Sequence, residues 1–174
     1  MPVSQFTLQG HSTRREFAVY VVVAKQREGS DYHIYIGKTG DNREGCNPMI
    51  SRAGNHFSYN DIHSQIRNKL PCSPPEYDYE YLYITFDRYS EDKQERLAQI
   101  DVVNEMERAV NVAIQGAFPE APEGCLLNPF KGKGHVKASE KIRRAGLRTA
   151  GRMANVDALV AAVLQHVKTL FASS

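Results

Sequence analysis

Three groups of residues in this chain carry side chains able to do chemistry at a suggestive spacing. Ile100, Val103, Val110 and Ile114 form one stripe at helical periodicity, and the position completing that stripe is Glu107. An unpaired buried carboxylate is costly, so Glu107 requires a cation, a metal ion or a hydrogen-bond donor on the surface it faces. The simplest answer is a structural salt bridge. Glu105, two residues earlier among Asp101, Arg108 and Ala109, ranks second as a buried acid. Arg52 and His56 stand four apart, which places a fixed cation and a titratable imidazole on one helix face if the helix runs through Gly54. On its own such a pair is as well explained by solvated helix surface. The third group is the run Lys131, Lys133, Lys137, Lys141, Arg143, Arg144, Arg148 and Arg152, eight cations against the single acid Glu140. That local charge of +7 sits in a chain whose total is +2, so the remainder is net acidic. A concentrated basic block is an electrostatic footprint for a polyanion, or else an exposed solvated segment.

The elements that must position these residues are legible in the apolar pattern. Phe17 to Ala24 and Tyr32 to Gly37 read as a hairpin, apolar on both faces, which suits the interior of a sheet covered by helices on both sides. Asn47-Pro48 marks a helix start, with a short helix through Arg52. Ile62, Ile66 and Leu70 at intervals of four predict a second helix, stopped by Pro71. Tyr77 to Phe86 alternates, with Tyr77, Tyr79, Tyr81 and Tyr83 on one face and Leu82, Ile84 and Phe86 on the other, a third strand. A long helix follows from about Glu91 to Gly116, then a Pro/Gly loop from Pro119 to Gly124 leading into Leu126-Leu127-Asn128-Pro129. From Val156 an amphipathic helix, capped by Asn155, carries Leu159, Val160, Val163, Leu164 and Val167 to pack on the domain or on a partner.

The order is ββααβα, an α+β fold with a small three-stranded antiparallel sheet flanked by helices. The expected divisions are an irregular lead-in over 1–16, a core over 17–130, and a basic segment with the C-terminal helix over 131–174, which could join two copies as a homodimer.

Ala18-Val19-Tyr20 on the first strand and Tyr35-Ile36-Gly37-Lys38-Thr39 on the second resemble the signature of the GIY-YIG nucleases. The resemblance extends through Arg52 and His56, a carboxylate on a long helix and an Asn beyond it, in that family's order, and covers Phe17 to Phe130. It implies that Tyr20 and Tyr35 are paired active-site phenols, Arg52 the phosphate-binding cation, His56 a proton-transfer or positioning group, and Glu107 the holder of Mg²⁺ or Mn²⁺. Asn128 matches the supporting Asn, and Lys38 adds a cation near the phosphate. This sequence departs from the pattern in having Ala18 where the first Gly stands, a fifteen-residue step from Tyr20 to Tyr35, and a longer distance from Glu107 to Asn128. The long step predicts an elongated hairpin tip.

The chemistry implied is metal-dependent hydrolysis of phosphodiester bonds in DNA, in a restriction or other defence role. Tyr20, whose phenol ordinarily titrates near pH ~10, and His56, near ~6.5, are rival general bases. RNA is an alternative substrate, as for a toxin, and a non-catalytic nucleic-acid-binding module is a further alternative. The polar segment Ser58 to Arg67, with His63, Gln65 and Arg67, is a candidate for reading a groove, against a plain solvated surface.

Composition sets the outer limits. With 174 residues, 41% hydrophobic and 24% charged, the chain is long and apolar enough for a real core, and no apolar run approaches the ~18 residues of a membrane span. Met1 to Phe6 lacks the basic and apolar regions of a secretory signal, so a cytoplasmic protein is expected. Cys46, Cys72 and Cys125 match no disulfide or zinc pattern and are expected as free thiols.

Overall fold

The structure, a computed structural model, describes residues 5–40, 45–60, 62–131 and 138–172. Its sheet has three antiparallel strands in the order β2-β1-β3, with β1 Glu16–Gln26 in the centre, β2 Tyr32–Lys38 on one side and β3 Tyr77–Arg88 on the other. The central position explains why Phe17 to Ala24 is apolar at every residue: all eight are buried, alternately against two different layers. Phe17, Val19, Val21 and Val23 meet the helices α2 Lys93–Ala117 and α4 Ala150–Ala172 on one face. Tyr20, Val22 and Ala24 face the other cluster, with Tyr35, Met49 of α1 Met49–Asn55, Ile66, Leu70 and the tyrosines of β3.

The alternation of β3 holds as expected, with Tyr77, Tyr79, Tyr81 and Tyr83 in one cluster and Leu82, Ile84 and Phe86 in the other. The long Tyr20-to-Tyr35 step is absorbed mainly by strand length. Pairing continues to Lys25 opposite Tyr32, and the Gln26 N–H closes on the Asp31 carbonyl at 2.9 Å.

Two expected elements differ. The segment from Ile62 to Leu70 is a chain of turns, because short polar side chains capture the backbone groups a helix would use. Asn60 Oδ1 accepts from the Ile62 N–H at 3.0 Å, Ser64 Oγ donates to the Asn60 carbonyl at 2.7 Å, and the Arg67 N–H returns to the His56 carbonyl at 3.2 Å. Ile66 and Leu70 are buried as their spacing predicts, but Ile62 is 78% exposed. The C-terminal helix starts at Ala150, so Asn155 lies inside it; Thr149 Oγ1 instead accepts from the Arg152 N–H at 3.4 Å. With α3 Ala138–Ala145 the element order becomes ββαβααα.

The apolar stripe of α4 is used within the chain: Val156, Leu159, Val163 and Val167 join the α2 and β1 core. Of the two expected surfaces, the domain and a partner, this stripe packs on the domain. Cys46, Cys72 and Cys125 form no disulfide among the described residues. Among the described residues no helix is long and apolar enough to cross a membrane.

Candidate active site

The hairpin register decides how the two strand motifs meet. Tyr20 lies directly opposite Gly37, and Tyr35 is two residues away on the same face of β2. A Cβ on Gly37 would fall 2.4 Å from the Tyr20 ring, so the glycine of the Tyr-Ile-Gly triplet is the vacancy that lets the phenol lie across β2. The Tyr20 and Tyr35 ring centroids end 6.4 Å apart.

The helix α1 continues through Gly54 to Asn55, with His56 as its C-terminal cap, and this brings Arg52 and His56 together over Tyr20. Tyr20 Oη lies 2.5 Å from His56 Nε2, and Arg52 Nε donates to the same oxygen at 3.3 Å. Since the phenol accepts from Arg52, its own proton is free to point at Nε2. That assignment leaves the imidazole proton on Nδ1, an atom buried without a partner among the described residues. The His56 ring also stands edge-on to Tyr35, 5.0 Å between centroids.

Burial dominates the electrostatics. Tyr20 and His56 are both 0% exposed. Desolvation, reinforced by Tyr35 and opposed by Arg52, drives the Tyr20 phenol far above its ordinary value. Desolvation first, then Arg52 and Lys69, lowers His56 to about 3, so it is neutral at physiological pH. Tyr35 is raised to about 12, chiefly by burial. For Arg52, burial alone would lower the value, but Tyr20, Tyr35 and Glu107 more than offset it.

Glu107, on α2, is half-buried and makes no hydrogen bond or ion pair among the described residues. Burial raises its carboxyl, while Lys38 and Arg52 pull it back. The cation it required is thus supplied through space by both. Lys38 donates to the Gly40 carbonyl at 3.0 Å and shares with Arg52, Asn55 and His63 a polar cavity of about 360 Å³. A hard divalent ion fits this donor chemistry: one half-buried carboxylate, otherwise unpartnered among the described residues, with water completing the shell. Among those residues no group of three or more His, Cys, Asp or Glu gathers as a metal cage.

The structure separates other expected residues from this cluster. Asn128 clamps the outer edge of β2, accepting from the Ile36 N–H at 3.0 Å and donating to the Ile36 carbonyl at 2.6 Å. The neighbouring chain pairs alongside through the bridge between Ile34 and Leu126, and Asn111 holds the Asn128 carbonyl at 2.9 Å. Both ends of the Asn128 amide are therefore engaged in finishing the sheet.

Glu105 is the more deeply buried acid, at 2% exposure, and is held by Arg148 at 2.7 Å and Arg108 at 3.6 Å. The basic block is correspondingly less free than its charge suggests. Arg143 pairs with Asp101 at 2.7 Å and with Glu140, Arg144 also pairs with Glu140, and Arg152 donates to the Leu147 carbonyl. Lys131 and Lys141 are exposed, while Lys133 and Lys137 lie outside the described residues.

Two residues join the cluster without having been singled out in the sequence. Tyr81 comes from β3 with its ring centroid 6.1 Å from that of Tyr20 and its hydroxyl buried without a partner among the described residues. The Lys69 ammonium lies 5.6 Å from the centroid of the Tyr35 ring. The tyrosine-rich face of β3 was visible, but its neighbour in the sheet was not. The chain matches no family model, no curated protein and no solved structure.

Proposed function

We propose that this chain is a divalent-metal-dependent endonuclease of the GIY-YIG kind that hydrolyses phosphodiester bonds in DNA, in a restriction or defence role. The observation that carries the reading is the convergence of Arg52 and His56 on the Tyr20 phenol oxygen beside the Tyr35 ring, with Lys38 and Arg52 lining one cavity and both acting on Glu107. Phosphodiester hydrolysis needs an activated water, stabilisation of the charged phosphate and help for the departing oxygen.

In this reading Arg52 takes the phosphate with the guanidinium N–H groups not committed to Tyr20, and Lys38 adds a second positive charge from the cavity. Tyr20 first passes its proton to His56 Nε2, an uphill step because His56 is a weak base, and the phenolate so formed, held by the positive charges of Arg52 and Lys38, then takes a proton from the attacking water. The resulting hydroxide attacks phosphorus, the bond to the departing oxygen breaks, and that oxygen takes up a proton from solvent as the proton removed from the water is returned through Tyr20. Both Tyr20 and His56 are out of water, so in this reading the side chains packed over the phenol shift to admit the nucleophile. Glu107 would hold Mg²⁺ or Mn²⁺, which supplies charge stabilisation to the leaving oxygen.

The complete burial of Tyr20 and His56 also favours a second reading, a nucleic-acid-binding module with the same arrangement and no cleavage. One experiment separates the two. Supercoiled plasmid and single-stranded RNA are each incubated with the protein in Mg²⁺ and in EDTA, beside the Glu107→Gln variant. The nuclease reading expects nicked or linear plasmid in Mg²⁺ alone, abolished in Glu107→Gln with DNA binding retained. Binding without cleavage under every condition supports the module, and cleavage of RNA only would move the substrate class.

A further inference from the structure

The loop over 57–70 leaves His56 and returns to the sheet, and it carries the two most conspicuous exposed apolar side chains near the site. Tyr59 is 93% exposed and Ile62 78% exposed, on either side of the turn made by Asn60. Their exposure does not reflect a loosely held loop. Phe57 packs edge-on to Tyr79 at 4.6 Å, Ile66 and Ser64 are fully buried, Ser64 Oγ bonds the Asn60 carbonyl, and Gln65 Nε2 donates to the Ile62 carbonyl at 2.8 Å. A braced loop that holds a tyrosine and an isoleucine out in water presents them to something.

Charge says what that is. The Arg67 guanidinium lies over the Tyr59 ring, 5.0 Å from its centroid, and Lys69 and His63 lie on the same loop. Asp61, outside the described residues, is the one acid between 57 and 70. His63 lines the same cavity as Arg52 and Lys38, and the Arg67 N–H is bonded to the His56 carbonyl, so the loop is registered to the phosphate-binding residues. Exposed apolar side chains beside a guanidinium, on a loop that reaches the cavity of Arg52 and Lys38, are the combination that opens a stacked base step while holding an adjoining phosphate.

We propose that this loop is a wedge for duplex DNA, in which Tyr59 and Ile62 enter a base step next to the phosphate held at Arg52. The proposal rests on the nuclease reading and adds to it how the duplex is held and bent at the cut. Arg67 serves as a positioning residue that fixes the ring angle and carries positive charge to the backbone.

The test measures binding of the full chain to a short DNA duplex in EDTA by fluorescence anisotropy, with 2-aminopurine placed in turn at successive positions. Tyr59→Ala/Ile62→Ala should bind roughly 5- to 150-fold more weakly, the range expected for losing a stacked aromatic, and should lose the 2-aminopurine increase produced by the wild type. Tyr59→Phe should retain both. Neither side chain is charged, so the slope of log affinity against log salt should stay unchanged. Both are exposed, so the melting temperature should stay within about 2 °C. Binding within twofold of the wild type would overturn the wedge, as would an equal loss on single-stranded DNA of the same sequence. So would a double variant that changes only the sedimentation of the free protein, which would make the patch a contact between copies. Wild-type protein that binds no duplex at all would sink the nuclease reading and the wedge together, whereas binding that the double variant leaves intact sinks the wedge alone.

Discussion

Tyr20 is defined by three neighbours at once: the gap at Gly37, the Arg52 guanidinium and the His56 imidazole. Adding a single methyl group tests the first of them. Gly37→Ala puts a carbon 2.4 Å from the ring, and with the phenol fixed at its other end the strain is shared with the Arg52 and His56 contacts. The variant should lose about 1–3 kcal/mol of stability by urea titration, together with most cleavage activity, even though it removes no functional group. His56 gives a pH signature. It titrates at about 3 in the fold and near ~6.5 in an unfolded chain, so above 6.5 it is neutral in both states. As pH falls from 6.5 toward 3 only the unfolded chain takes up the proton, and stability is lost across that window at no more than about 1.4 kcal/mol per pH unit from this residue. Unfolding midpoints measured between pH 7 and 4 should fall more steeply for the wild type than for His56→Gln. Equal slopes would mean the imidazole is not held neutral. For the same reason the rise of cleavage with pH should not follow a group near 6.5.

At the scale of elements, α2 presents two acids to two different neighbours. Glu107 faces the cations of the hairpin and α1, whereas Glu105 faces Arg148, in the turn between α3 and α4. The carboxylate of Glu105 is 3% exposed and Arg148 39%, so removing the arginine strands a buried charge with only Arg108 at 3.6 Å. Arg148→Gln should therefore cost roughly 1–3 kcal/mol in a urea melt. Arg143→Gln, at an exposed pair, should cost much less. A similar melt for both would show that Glu105 is stabilised by Arg108 alone. The turns over 57–70 illustrate the opposite outcome at this scale. Apolar spacing placed Ile66 and Leu70 in the core correctly, but local hydrogen bonds from Asn60 and Ser64 set the backbone.

For the molecule as a whole, the charge map changes once the chain is folded. Four free cations at Lys141, Arg143, Arg144 and Arg148 would contribute about 3.6 to the salt slope of duplex binding, at ~0.9 for each phosphate contact. Arg143, Arg144 and Arg148 are paired with Asp101, Glu140 and Glu105, so their joint replacement by Gln together with Lys141 should change the slope by only about 0.9. Affinity measured across a series of salt concentrations decides it. A change near 3.6 would show that the arginines leave their carboxylates for phosphates when DNA binds.

The sequence by itself determined the strands and the long helix, because strand alternation, continuous apolar burial and helical stripes are properties of neighbouring residues along one chain. It also put Arg52 and His56 on one helix face on the condition that the helix runs through Gly54, since residues four apart on a helix meet wherever that helix is placed, and α1 meets that condition. The order of the candidate site residues was readable for the same reason. Tertiary structure alone decided which residues cross between elements. The hairpin register put Gly37 under Tyr20, sheet order brought Tyr81 beside it, and the return of the chain along β2 turned Asn128 into an edge clamp. Only the docking of the C-terminal helices could show that Asp101 and Glu105 neutralise arginines more than forty positions away. Such pairings join residues distant in sequence, and local periodicity holds no record of which distant surfaces will meet.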